Sequence, residues 1–264
     1  MNRRAIVFIF LLSAVSAFAR KQETGFLDRT VTVAGATYRY QVFLPNNWTK
    51  KQKWPVILFL HGYGERGETG LLQTDVGLGR AIRVSQKPIP FIVVMPQCLA
   101  QTHWWTEDAM EAQALAALEQ SIKEFNGDRE RLYLTGLSMG GFATWDLAAK
   151  YPGKFAAFVP VCGAIRQSNH EYAQYSTTLG RDPKVSDPYA ETARRIGKTP
   201  VWIFHGGADD TVDVEESRKM AEALKAAGAN YRYTEYPGVG HNSWDKAYAE
   251  PELVPWLLEK KLGK

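Results

Sequence analysis

Cysteine is scarce in this 264-residue chain: only Cys98 and Cys162 occur, so at most one disulfide can form. An excess of charge of one sign is also missing. The 32 Lys and Arg residues nearly cancel the 28 Asp and Glu residues, leaving a formal net charge of +4. That is too small, and too scattered along the chain, to argue for a nucleic-acid or anionic-membrane partner. Repeats, low-complexity tracts and long linkers are absent from the sequence. After residue 19 no apolar run approaches the roughly 20 residues that would span a bilayer. The composition, 45% hydrophobic and 23% charged, is that of an ordinary globular protein.

What is present begins with an export signal. Arg3 and Arg4 form a positive start, residues 5–12 are apolar, and Ala17-Phe18-Ala19 reads as a small-x-small cleavage site. Cleavage is expected after residue 19, which leaves a soluble, secreted or periplasmic protein and lowers the formal charge from +4 to +2 through loss of the two arginines. The remaining length suits one domain, 20–264, with a polar, loop-like segment at 164–197 read as a small cap insertion over a site.

Residues 30–33 and 38–44 are rich in β-formers and flank an Ala-Gly-Ala turn, which predicts an antiparallel hairpin. Five short runs follow that are apolar on both faces: 56–60, 91–95, 132–135, 157–161 and 201–204. Strands of that kind belong in a mostly parallel, fully covered sheet. Helical patterns alternate with them at 109–125 and 139–150, and from Asp213 to Gly228 with Glu216 as a capping-box partner. A last strand is expected at 231–236 and a last helix at 252–261. The class is therefore α/β, with helices on both faces of a mostly parallel central sheet and an N-terminal antiparallel hairpin.

Gly136-Leu137-Ser138-Met139-Gly140-Gly141 directly follows an apolar strand and directly precedes a helix. That context turns a common Gly-x-Ser-x-Gly pattern into a candidate nucleophile elbow. A serine hydroxyl is a weak nucleophile at neutral pH and needs a base. Of five histidines, His241 lies in a glycine-rich loop after the last strand, on the side where Ser138 must stand. His61 and His205 each end a strand as His-Gly and are expected to bond nearby backbone. His103 and His170 have no supporting context. Asp209 follows the 201–204 strand and is the candidate acid, with Asp210 as its rival and Asp213 assigned to the helix cap. The order Ser, Asp, His is the one an α/β-hydrolase layout uses. Candidate oxyanion donors are the N–H groups of Met139 and of Tyr63 in His61-Gly62-Tyr63-Gly64-Glu65-Arg66-Gly67. Trp104 and Trp105, in a loop at the same end, are candidate walls for an acyl or aromatic group.

Taken together, that loop, the Ser138 elbow, His205-Gly206-Gly207-Ala208-Asp209 and Gly240-His241 resemble the α/β-hydrolase superfamily. Within it the chain is similar to secreted carboxylesterases and predicted peptidases grouped near dienelactone hydrolases, feruloyl esterases and polyhydroxybutyrate depolymerases. The likeness runs from about residue 30 onward and departs from dienelactone hydrolases proper in having serine, not cysteine, as nucleophile. It implies ester hydrolysis through an acyl-enzyme without fixing the substrate, for which short-chain acyl esters are the first expectation and feruloyl-type esters on plant polysaccharide the second. No metal or organic cofactor is implied. A serine peptidase or a polyester depolymerase would share every motif, whereas a non-enzymatic binding module would show a degraded triad. The strand order of that fold would set two strands between those ending at Cys98 and Cys162, roughly 14 Å. Free, buried thiols are therefore expected.

Overall fold

The computed structural model describes residues 23–102, 105, 107–167 and 175–263. The expected export signal, His103, Trp104 and His170 lie outside the described residues.

Eight strands form one sheet: β1 (Gly25–Val33), β2 (Ala36–Leu44), β3 (Trp54–Leu60), β4 (Ile92–Pro96), β5 (Gly127–Leu137), β6 (Ala157–Val161), β7 (Val201–Gly206) and β8 (Tyr231–Tyr236). Their spatial order is β1-β2-β4-β3-β5-β6-β7-β8. The β1–β2 hairpin turns through Ala34 and Gly35, both at positive φ, the backbone hand that matches a tight hairpin to the twist of its strands. β2 then joins β4 antiparallel, and every later pairing is parallel. β3, β4 and β6 are buried at every residue, as strands covered on both faces must be.

The two faces are read off the strand alternation. Val56, Leu58 and Leu60 point into a core shared with α2 (Asp108–Phe125), α3 (Met139–Lys150), α5 (Pro188–Ile196) and α6 (Val214–Ala226). Ile57 and Phe59 point the other way, against α1 (Gly77–Val84), α7 (Trp244–Ala249) and α8 (Leu253–Leu258). The structure is thus an α/β-hydrolase fold with helices on both faces and an antiparallel hairpin at its N-terminal edge. With β3 and β5 between β4 and β6, Cys98 and Cys162 stand apart; both are free and buried.

Three expectations are corrected. The segment 164–197 is not all loop: its described part carries α4 (Thr178–Arg181) and α5. α5 has a clear local cause, because Asp187 caps it through the N–H groups of Tyr189 and Ala190 and Pro188 fills its first turn. The capping box at α6 is only half formed. Asp213 accepts from the Glu215 N–H, but the Glu216 carboxylate is taken by the Arg166 N–H and the Tyr189 hydroxyl. The last helix is shorter than expected, Leu253–Leu258. The segment is tied to α3 at one further point: Asp146, buried in the helix, accepts from the Thr178 N–H at 2.6 Å and hydroxyl at 3.0 Å.

Candidate active site

Parallel strands end their backbones in one direction, so the loops after β3, β5, β7 and β8 gather on a single rim. β5 ends in Leu137 and the chain turns at once into α3. Ser138 makes that turn at φ 50° and ψ −117°, a strained backbone for any residue with a Cβ. The turn is fixed from both sides. The Ser138 N–H donates to Val161 O of the neighbouring strand at 2.9 Å, and Ser138 O accepts from the Gly141 and Phe142 N–H groups that start the helix. Glycine is required next to it. A Cβ on Gly140 would lie 2.0 Å from Leu60 O, and one on Gly136 would lie 2.3 Å from Gly140 O.

The loops after β7 and β8 are joined backbone to backbone. Gly207 N–H donates to Tyr236 O and Ala208 N–H to Val239 O, each at 2.9 Å, and a Cβ on Gly206 would lie 2.3 Å from Gly240 O. This junction carries Asp209 on one strand end and His241 on the other. His241 Nε2 lies 2.9 Å from Ser138 Oγ, and its Nδ1 lies 2.8 Å from Asp209 Oδ2 and 3.0 Å from Oδ1. Side chains 103 and 32 residues apart in sequence thus form one hydrogen-bonded line. The imidazole is 20% exposed and the carboxylate wholly buried, so the line opens to solvent at its Ser138 end.

Asp209 is held by a turn of its own. Oδ1 accepts from the Thr211 and Val212 N–H groups, both at 2.9 Å. Burial raises a carboxyl pKa, but hydrogen bonds from His205, His241 and the Val212 N–H outweigh it and hold Asp209 well below the usual carboxylate range. The rival Asp210 is exposed and engaged by the Thr211 hydroxyl. Asp213 caps α6.

Met139 is the first residue of α3, and Tyr63 opens a short 3-10 turn, Tyr63–Glu65, after β3. β3 and β5 are adjacent, so both groups belong to the same corner of the rim as Ser138. The Tyr63 ring is about half exposed, lies 3.4 Å under the Arg66 guanidinium and meets Tyr175 edge-on at 6.3 Å. Arg66 also donates to Thr102 O at 2.6 Å, which ties this turn to the loop after β4.

Trp105 is not an open wall. It is 1% exposed, donates its indole N–H to His61 O and packs edge-on against the His61 ring. Its work is to brace the turn that carries Tyr63. Trp104 lies outside the described residues. His61 bonds backbone at both ring nitrogens, to Gly62 O and the Cys98 N–H, and burial pushes it down to about 4. Two neighbours of the site were read from the sequence only as structural residues, Cys162 as a buried thiol and His205 as a strand-end side chain bonding backbone, which His205 does through Val212 O. Cys162 Sγ lies with a ligand atom of Asp209 and one of His241 in a trio within 4.8 Å. Burial, and then the Asp209 charge, push its thiol up to about 12, so it stays neutral. His205, wholly buried, contacts the same carboxylate oxygen as His241, its Nε2 lying 3.2 Å from Asp209 Oδ2.

Residues 104–260 match the model of the prolyl oligopeptidase family. An uncharacterized secreted protein of Arthroderma benhamiae is 26% identical over 241 residues, covering 83% of this chain and 25% of that protein. Acetylxylan esterase A of Emericella nidulans is 31% identical over 107 residues, 36% of this chain and 35% of that enzyme. The solved structure of a thermostable esterase superposes with a TM-score of 0.72 at 30% identity, over 89% of this chain and 63% of the other. The chain thus spans between a quarter and about two thirds of the length of these relatives.

Proposed function

The chain belongs to the prolyl oligopeptidase family, and from that premise we propose that it is a serine hydrolase of carboxylic esters working through Ser138, His241 and Asp209. The observation that carries this reading is the unbroken line from Ser138 Oγ through His241 to Asp209. In this mechanism Ser138 Oγ attacks the ester carbonyl as His241 Nε2 takes its proton. The oxyanion is held by the Met139 and Tyr63 N–H groups, and the alcohol leaves with the proton from His241. Water then repeats the sequence on the acyl-enzyme. Asp209 keeps the proton of neutral His241 on Nδ1 and stabilises the imidazolium without being protonated itself.

Short acyl esters are the proposed substrates, with feruloyl-type esters on polysaccharide as the second choice. Two esterases among the relatives support the ester reading, one of them named for acetylxylan. The family match favours a second reading, a peptidase on the same residues. The protein is further proposed to be exported. The segment 164–197 is proposed to cap the leaving-group side of a single hydrolase domain, a role its tie through Asp146 to α3 supports.

The test is a panel of p-nitrophenyl and feruloyl esters beside a peptide anilide, run with wild type and Ser138→Ala. Ester turnover lost in Ser138→Ala, with the anilide untouched, is the expected result. Preferential cleavage of the anilide would replace the ester reading with the peptidase one.

A further inference from the structure

His205 sits at the end of β7, wholly buried, with both ring nitrogens engaged. Nε2 lies 3.0 Å from Val212 O and 3.2 Å from Asp209 Oδ2. Both partners are acceptors. Nε2 therefore carries a hydrogen, since a lone pair there would face a carbonyl and a carboxylate in a site without water access. Nδ1 lies 2.7 Å from Ser217 Oγ, a hydroxyl able to donate to it. Ser217 thus fixes the ring as the Nε2–H tautomer, whose hydrogen Val212 O accepts while Asp209 Oδ2 lies 3.2 Å from the same nitrogen.

The carboxylate accordingly has two imidazoles in contact with it. Oδ1 is filled by two backbone N–H groups of the following turn. Oδ2 meets both His241 Nδ1, at 2.8 Å, and His205 Nε2, at 3.2 Å. Titratable groups beside the pair include the Cys162 thiol, directly after β6, and Glu235, which stands opposite His205 on β8 and accepts from two nitrogens of Arg218.

We propose that His205 is a positioning residue for the reaction: with Ser217 it sets the orientation and basicity of Asp209, and through Asp209 the proton affinity of His241. The role rests on the reading of Ser138, His241 and Asp209 given above and extends their line to five side chains. Its physical content is specific. The positive end of the Nε2–H dipole, 3.2 Å from Oδ2, stabilises negative charge on the oxygen that binds His241, which tempers the attraction of the carboxylate for the imidazolium. It also stops the carboxylate rotating away from Nδ1.

The experiment uses the full chain and follows kcat and KM for p-nitrophenyl acetate against pH. His205→Phe keeps bulk and burial but has no donor. His205→Gln offers an amide N–H near the place of Nε2. The expected result for His205→Phe is a fall in kcat of about 10- to 100-fold, the scale found for outer partners that orient functional groups. KM should stay within about twofold. The acid limb of kcat/KM should move to higher pH, because Asp209 without its second donor holds the His241 proton more tightly. His205→Gln should recover most of the rate and return the limb. Where His205→Phe fails to fold, Ser217→Ala gives the same reading through a smaller upward movement of the limb. A limb that stays at its wild-type position in the folded variants overturns the proposal and leaves His205 a packing residue. Ester turnover that survives Ser138→Ala would instead overturn the reading of the site itself, and the positioning role with it.

Discussion

Ser138 sits in a backbone conformation that costs about 1–3 kcal/mol relative to a relaxed residue. Its neighbours over-determine that conformation, with Val161 O holding it in front and two helix N–H groups behind. The result is a hydroxyl raised clear of the sheet and aimed at Nε2 of His241. Asp209→Asn tests the other end of the line. An amide can donate where the carboxylate accepts, so it favours the wrong tautomer of His241. Expected is a loss of kcat of about a thousandfold or more, measured on p-nitrophenyl acetate, with KM little changed. Because Asp209 is held so far below the ordinary carboxylate range, its contribution to stability is present above the unfolded carboxyl pKa and is lost only in strong acid. At this scale Ser138, His241 and Asp209 were legible because residue type and place after a strand narrowed each choice to one or two. His205 was not. Its place in the same motif as Asp209 was visible, but not that the strand-end turn brings its Nε2 to within 3.2 Å of the carboxylate. Trp105 misled for a related reason, since nothing in a loop sequence says which way an indole faces.

The elbow and the cap tie are properties of elements, and each has its own test. Gly140→Ala drives a Cβ into Leu60 O, which is backbone and cannot step aside. It is expected to cost more than about 2 kcal/mol in urea unfolding and to abolish turnover even in the protein that stays folded. Asp146 is different. Burial raises its carboxyl pKa above the ordinary 3.8, against hydrogen bonds from Thr178 that lower it. A raised folded value means that its contribution is full below pH 3.8 and fades as pH rises through that folded value. Asp146→Asn keeps the shape without the charge. Urea midpoints measured from acid to neutral pH should therefore favour the variant increasingly as pH rises. Among elements, α3, β6 and β8 were read from the sequence with their true boundaries. α1 was missed because Gly77 and Gly79 break its local propensity. It is helical because Leu78 and Ile82 bury against the sheet and because Gly79 approaches the Thr74 backbone too closely for a side chain. α7, six residues long, is too short for its apolar spacing to show a helical period.

On the scale of the whole molecule, the strand order explains why the site is where it is. β3, β5, β7 and β8 deliver their loops to one rim, and only the sheet brings residues 138, 209 and 241 together. That order was available from the alternation of apolar runs and helices together with the family likeness, whereas the path of 164–197 was not, since its polar composition hid α5. Among the described residues no helix is long and apolar enough to cross a membrane. The same order sets the ends of β4 and β6 two strands apart and keeps their sulfurs reduced inside the core. Folding of this chain consequently needs no electron acceptor and no disulfide isomerase. Its melting temperature should be the same with and without dithiothreitol, and refolding yield should not depend on the glutathione ratio, so that a reducing cytosol is as good a place to fold as an oxidising exterior.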